Sequence, residues 1–385
     1  MRVADVLFSL IRFEITGEEL SEEIKSSIDS VILLDLYKLS KDHDVAHLVE
    51  NALSKIGVAL YDDILKDYKK QKMLAIYRSE ILESHLQRIK EALRKAKIPF
   101  VPLKGAVIKK HYPERWMRTS CDIDILVHED DLEKAIDALK EDFWSVVGKK
   151  NYHDISLYSK NGVHLELHFS IKENIKTIDS VLEKVWKYTS LKQGTECEFV
   201  LTNEFLLFHL LAHISYHFVK GGCGVRTILD LWILMNKLEY DKSRLRQICA
   251  QAKIDVFYDN ILSLIDVWFN KKQHSIVTQK MEDFILSGGV YGTDQNRIKV
   301  SQAKDGGKGS GILKRIFMPY GSLKIRYPVL ERYKFLTPLF QIARWIDLAF
   351  KGRFRRLVKE YRIGDSIPQD EVNNTESLFK EIGLM

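Results

Sequence analysis

Chemistry in this chain can be built from two aspartates, Asp122 and Asp124, and a glutamate further along, Glu166. Residues i and i+2 of a strand point to the same face. The run Cys-Asp-Ile-Asp-Ile-Leu-Val at 121–127 therefore presents two carboxylates on one side and Ile123, Ile125 and Val127 on the other. Carboxylates this close repel unless a hard cation sits between them, and Mg²⁺ accepts such oxygens while leaving room for phosphate oxygens and water. The pattern points to metal-assisted phosphoryl or nucleotidyl chemistry. The same alternation in Val-His-Leu-Glu-Leu-His-Phe at 163–169 sets His164, Glu166 and His168 on one face, making Glu166 a third carboxylate. His168 either orients Glu166 or packs at the sheet end. A structural carboxylate between two histidines is the plain alternative.

These acids need strands to hold them. Residues 99–103 read as a strand near a sheet edge, because prolines stand at 99 and 102. The strand ends at Lys104-Gly105, and 106–112 reads as a short helix whose N-terminal amides face anions. The acidic strand follows at 122–128, then a helix at 130–141, then strand-like runs at 143–147, 153–159 and 163–169. Asn161-Gly162 is a hairpin turn between the last two. The expectation for 98–200 is an α+β domain around a mixed sheet. Residues 1–97 read as a helical N-terminal region: Leu7, Leu10 and Ile11, then Ile32, Leu33, Leu36 and Leu39, then 68–97 repeat at helical spacing. Residues 201–292 read as a helical domain with helices at 204–218, 227–238 and 254–269. Residues 293–311, with GGKGSG, read as a flexible loop, and 312–385 as a basic C-terminal helical tail.

Composition narrows the class. Hydrophobic residues at 45% and charged residues at 29% of 385 are ordinary for a globular protein. Cys121, Cys197, Cys223 and Cys249 show no CxxC spacing, which disfavours a zinc ribbon or a disulfide framework and suits a reducing cytoplasm. No apolar run approaches the roughly 20 residues of a spanning helix, and the N-terminus lacks a signal-peptide layout. The net charge is +6, yet 311–362 alone holds thirteen Lys/Arg against Glu331, Asp347 and Glu360. The basic character belongs to the tail.

Within the tail, 339–361 reads as an amphipathic helix, with Arg353, Arg355, Arg356 and Lys359 beside Ile342, Ile346, Phe350 and Leu357. Such a helix suits peripheral contact with an anionic membrane or a phosphorylated substrate, or nucleic acid. A solvated face over a core-packed stripe is the structural alternative. His209, His213 and His217 fall at i, i+4 and i+8 on one helix face. Two such imidazoles can bind Zn²⁺, but no HExxH acid accompanies them and leucines surround them, which favours a packed helix. The face alternatively lines a cleft opposite the carboxylates. Arg226 and Asp230, four apart, read as a local ion pair.

A glycine turn after a strand, a short helix, a strand bearing Asp-x-Asp and a third acid on a later strand together resemble the nucleotidyltransferase superfamily, whose fold is of the polymerase-beta type. More closely, LKG at 103–105, YP at 112–113, Arg118 ahead of DIDILV, LELHF at 165–169 and HLLAH at 209–213 resemble a bacterial family of uncharacterised nucleotidyltransferases. The resemblance runs from 98 to the RYP at 326–328, and members often sit among surface-polysaccharide or natural-product biosynthesis proteins. It implies transfer of a nucleoside monophosphate from a nucleoside triphosphate (NTP, ATP among them) to an acceptor hydroxyl, small-molecule or carbohydrate-type, with release of pyrophosphate. It implies two Mg²⁺ ions, or Mn²⁺, held by Asp122, Asp124 and Glu166, with Glu166 assisting deprotonation of the acceptor. Two ions about 3.5–4 Å apart stabilise both oxygens of an in-line displacement. Gly105 would let the backbone approach the triphosphate, Lys104 and Arg118 would neutralise it, and His168 would stand beside them. The superfamily turn is usually Gly-Ser or Gly-Gly, whereas Ala106 follows Gly105 here, so a phosphate-binding hydroxyl is missing. Either Lys104 takes that role or triphosphate binding is weakened. No RNA-binding motif is present and the catalytic half is not basic, which disfavours nucleic acid. The alternatives are a tRNA- or protein-directed nucleotidyltransferase and a non-catalytic nucleotide-binding or scaffolding protein.

Overall fold

The computed structural model describes residues 1–58, 62–140, 145–146, 151–290, 292–305, 317–350 and 353–385. Its centre is a five-stranded mixed sheet in the order β1-β2-β5-β4-β3. The strands are β1 (Phe100–Pro102), β2 (Asp122–Val127), β3 (Ser145–Val146), β4 (Asp154–Tyr158) and β5 (His164–His168). β1 runs antiparallel to β2, β2 parallel to β5, and β4 antiparallel to both β3 and β5. The parallel register places Asp124 opposite Glu166 and Asp122 opposite His164. β1 stands first in the order, as its Pro102 requires. Gly162, at φ 77°, supplies the left-handed residue of the β4–β5 turn.

Period-two alternation gives the sheet two unlike faces. Ile123, Ile125, Val127, Leu165 and Leu167 are buried against α5 (Asp62–Lys95) and α7 (Leu132–Lys140), through Leu86, Ile89, Leu93, Ile136 and Leu139. Each such side chain contributes about 1.5–3 kcal/mol on burial. The other face carries Asp124, Glu166 and His168.

Helices flank this core in sequence. Before the sheet come α1 (Val3–Thr16), α2 (Glu22–Ser27), α3 (Ser30–Asp42), α4 (Ala46–Lys55) and α5, with α6 (Gly105–Ile108) after β1. Asp29 caps α3 by accepting from the amides of Val31 and Ile32. After β5 come α8 (Lys176–Leu182), a two-stranded ribbon Thr189–Leu191 with Phe199–Leu201, α9 (Asn203–Val219), α10 (Val225–Lys237), α11 (Lys242–Gln251), α12 (Asp255–Asn270), α13 (Ile276–Leu286) and α14 (Asp294–Asp305). α1, α4, α9, α10 and α12 share one apolar core. The second half of α5 packs into the sheet's core through Leu82, Leu86, Ile89 and Leu93.

One expectation differs from the structure. Residues 294–305 form α14, where a loop from 293 was expected; the helix is seated by Gln302 and Ile298 against the Arg353–Ser366 helix at Gly364. The glycine-rich remainder of that stretch lies outside the described residues. Within the expected 339–361 helix, Thr337–Phe350 and Arg353–Ser366 are helical, residues 351 and 352 lie outside those described, and so do the side chains of Phe350, Arg353, Arg355, Arg356 and Leu357. Among the described residues, no helix is long and apolar enough to cross a membrane.

Candidate active site

The polar face of the sheet opens into a cleft of about 300 Å³ whose opposite wall is α9 and α10. Asp122, Asp124, Glu166, Lys104, Gly105, Arg118 and His168, all singled out from sequence, line it together. Parallel pairing of β2 with β5 is what brings the aspartates beside Glu166. Lys104 follows β1 with φ 42° and ψ −120°, a backbone costly for any residue but glycine. That geometry sets its Nζ 3.0 Å from Asp124 Oδ1.

Charge is unevenly shared among the acids. His168 Nε2 lies 3.0 Å from the same Asp124 Oδ1 and 3.3 Å from Glu166 Oε2. Burial opposes ionisation of Asp124, but Lys104 and His168 outweigh it and hold its carboxyl well below the usual range. Burial, with repulsion from Asp124 and Glu166, pushes Asp122 up. The hydrogen bond from His168 pulls Glu166 down. Burial alone would lower His168, yet its bonds to Asp124 and Glu166 carry it up to about 8.

The donor set fits a divalent cation. Ligand atoms of Asp122, His164 and Glu166 lie within 4.8 Å of one another, as do those of Asp124, Glu166 and His168. Asp124 Oδ1 is engaged by both Lys104 and His168, so its second oxygen is the one available to an ion. The repulsion raising Asp122 is what a cation would relieve.

A family model described as an uncharacterised nucleotidyltransferase matches residues 33–270, well over half of the chain. The chain belongs to that family. No curated protein and no solved structure matched it. The match starts inside α3, earlier than the resemblance visible from 98 onward, and stops short of Arg326.

Arg118 of this nucleotidyltransferase faces the cleft, but its guanidinium is committed to protein. It donates to Asp230, to the Thr119 carbonyl at 2.7 Å and to Ser120 Oγ at 2.7 Å. Asp230 also accepts from Tyr112 Oη at 2.7 Å. Arg226 reaches away from Asp230 to Asp44 at the N-terminus of α4, so the local ion pair expected between Arg226 and Asp230 does not form. Each spans elements instead. Gly105 leaves room for Ser120 here, because a Cβ would meet Ser120 Oγ at 2.1 Å and force the serine to shift. A hydroxyl does lie beside the glycine turn, supplied by Ser120 in place of residue 106.

The far end of the cleft holds the histidines of α9. His213 Nδ1 is 2.8 Å from Glu173 Oε1, and His213 Nε2 is 3.0 Å from His217 Nε2. Burial, reinforced for His209 and His213 by Lys104, lowers all three imidazoles to about 3, and burial pushes Glu173 up. These rings are neutral, as lining residues, and among the described residues they form no three-ligand metal group. Four buried polar atoms without a partner belong to cleft residues: His153 Nδ1, His168 Nδ1, His209 Nδ1 and Arg226 Nε. Glu173 and Ser120 were missed in the sequence, since each lies beyond a strand end where no periodicity marks a facing, and His153, first residue of the run expected at 153–159, was not singled out.

Proposed function

We propose that this cleft carries out divalent-cation-dependent transfer of a nucleoside monophosphate from an NTP to an acceptor hydroxyl, with release of pyrophosphate. The observation carrying this reading is the meeting of Asp122, Asp124 and Glu166 on paired parallel strands, with Lys104 bound to the central aspartate. The order of strand, glycine turn, short helix and acidic strand also supports a core of the polymerase-beta type.

Asp122, Asp124 and Glu166 would hold the cation, Mg²⁺ or Mn²⁺, which supplies charge neutralisation for in-line displacement at the α-phosphorus. The chain's own residues do the rest. Glu166, held ionised by His168, accepts the acceptor's proton as its oxygen bonds to phosphorus and the bond to pyrophosphate breaks. Lys104 fixes Asp124 in one rotamer and presents positive charge to the phosphates. His168 bridges Asp124 and Glu166 and keeps their spacing. The neutral imidazoles and Glu173 offer hydrogen bonds to a small-molecule or carbohydrate-type acceptor.

The test is incubation with each α-³²P-labelled NTP and Mg²⁺ or Mn²⁺, with and without cell extract, beside Asp122→Ala/Asp124→Ala. Label transfer or pyrophosphate release in the wild type alone supports the reading, and the labelled product identifies the acceptor class. Absence of any metal-dependent NTP binding by calorimetry overturns it in favour of a scaffold.

A further inference from the structure

The tail's Thr337–Phe350 helix has two faces that its contacts settle. One turns inward: Phe340 lies 4.8 Å from the Tyr327 ring, Gln341 donates to the Met318 carbonyl, and Arg344 is buried. The other turns to solvent. Leu339, Ile342 and Ile346, at i, i+3 and i+7, are 59%, 49% and 52% exposed, and Phe335 in the turn before is 77% exposed. An apolar row at helical spacing that none of the described residues covers is no core-packed stripe, the reading that would have made it purely structural.

Charge decides what covers it. Residues 317–350 hold five Lys/Arg against Glu331 and Asp347, and Arg332 and Lys334, just before Phe335 in the chain, are exposed. Arg332 and Lys334 sit over the rings of Tyr333 and Tyr320. A second copy of the chain would bring the same cations against these and be repelled. An anionic lipid surface satisfies both features, because apolar side chains enter the acyl boundary while Lys and Arg meet headgroups. We propose that the face formed by Phe335, Leu339, Ile342 and Ile346 docks the protein on anionic membranes.

The full chain is sedimented with phosphatidylglycerol–phosphatidylcholine vesicles and with phosphatidylcholine alone, at low and high salt, beside Ile342→Ser/Ile346→Ser. The wild type is expected to partition at least about tenfold more strongly onto the anionic vesicles, and to lose most of this with salt. The double variant is expected to lose binding while keeping its circular dichroism and its melting curve, since both residues are exposed. No wild-type binding at low salt overturns the proposal, and so does binding that the double variant retains. Sedimentation velocity without lipid covers the remaining occupant: a wild-type dimer that becomes monomeric in the double variant would make the face a contact between copies. None of these readouts depends on nucleotide chemistry.

Discussion

Arg118 and Asp230 stand 112 residues apart and share a forked ion pair, Nη2 lying 2.8 Å from Oδ2 and Nε 3.2 Å from each carboxylate oxygen. Through it the loop before the acidic strand is tied to α10, the opposite wall of the cleft. Removing one partner of a buried pair leaves an uncompensated charge. Asp230→Ala is expected to destabilise the fold by about 3–5 kcal/mol, read as a lowered urea midpoint. Arg118→Met/Asp230→Leu is expected to recover much of that loss.

The clash at Gly105 gives a second expectation. Gly105→Ala places a Cβ on Ser120 Oγ and breaks the Ser120–Arg118 bond. Overpacking of this kind costs about 1–3 kcal/mol. Adding Ser120→Ala removes the nearest atom and is expected to restore part of the stability. Equal destabilisation of the single and double variants would show that the contact is not the cause.

Acid sensitivity should follow from α9. His209, His213 and His217 have folded values near 3 against an ordinary 6.5. The unfolded chain therefore takes up protons that the folded one refuses. Stability is full above about pH 6.5 and falls between there and about pH 3, by roughly 1.4 kcal/mol per pH unit for each histidine. Urea unfolding from pH 7.5 down to 4.5 measures the slope, and His209→Gln is expected to make it shallower by about one histidine's share.

Cys121 adjoins Asp122, lines the cleft and is exposed, whereas Cys197, Cys223 and Cys249 are buried. Maleimide labelling of the folded protein is expected to modify Cys121 first, as mass spectrometry of peptides would show. NTP with Mg²⁺ is expected to slow that reaction several-fold. Unchanged labelling with nucleotide bound would place the nucleotide away from β2.

The strands were the legible part of the sequence. Two-residue alternation in DIDILV and HLELH fixed which side chains share a face, and Asn161-Gly162 fixed the turn. Pairing is a long-range property, so the parallel union of β2 and β5 was not legible, although alternation alone had named Glu166 as the third carboxylate. The neutrality of the α9 histidines was hidden for a related reason: it arises from burial against α10 and from Lys104 across the cleft. Arg226 and Asp230 misled because i,i+4 spacing permits a local pair, while Asp44, partly exposed, pairs with Arg226 and buried Arg118 pairs with Asp230. The 294–305 helix was obscured by polar composition, since its contacts lie with the distant tail helix.

Asp44 and His47 hold the acidic strand's approach from a part of the chain that looked like a mere lead-in. Thr119 Oγ1 donates to Asp44, and His47 Nε2 lies 2.8 Å from the Met117 carbonyl. The sheet alone is thus no transplantable cassette. The stretch that would have to travel together in any gene fusion or domain exchange starts at α3, α4 and the turn between them, which carry Asp44 and His47, and the family match, opening at residue 33, begins there too.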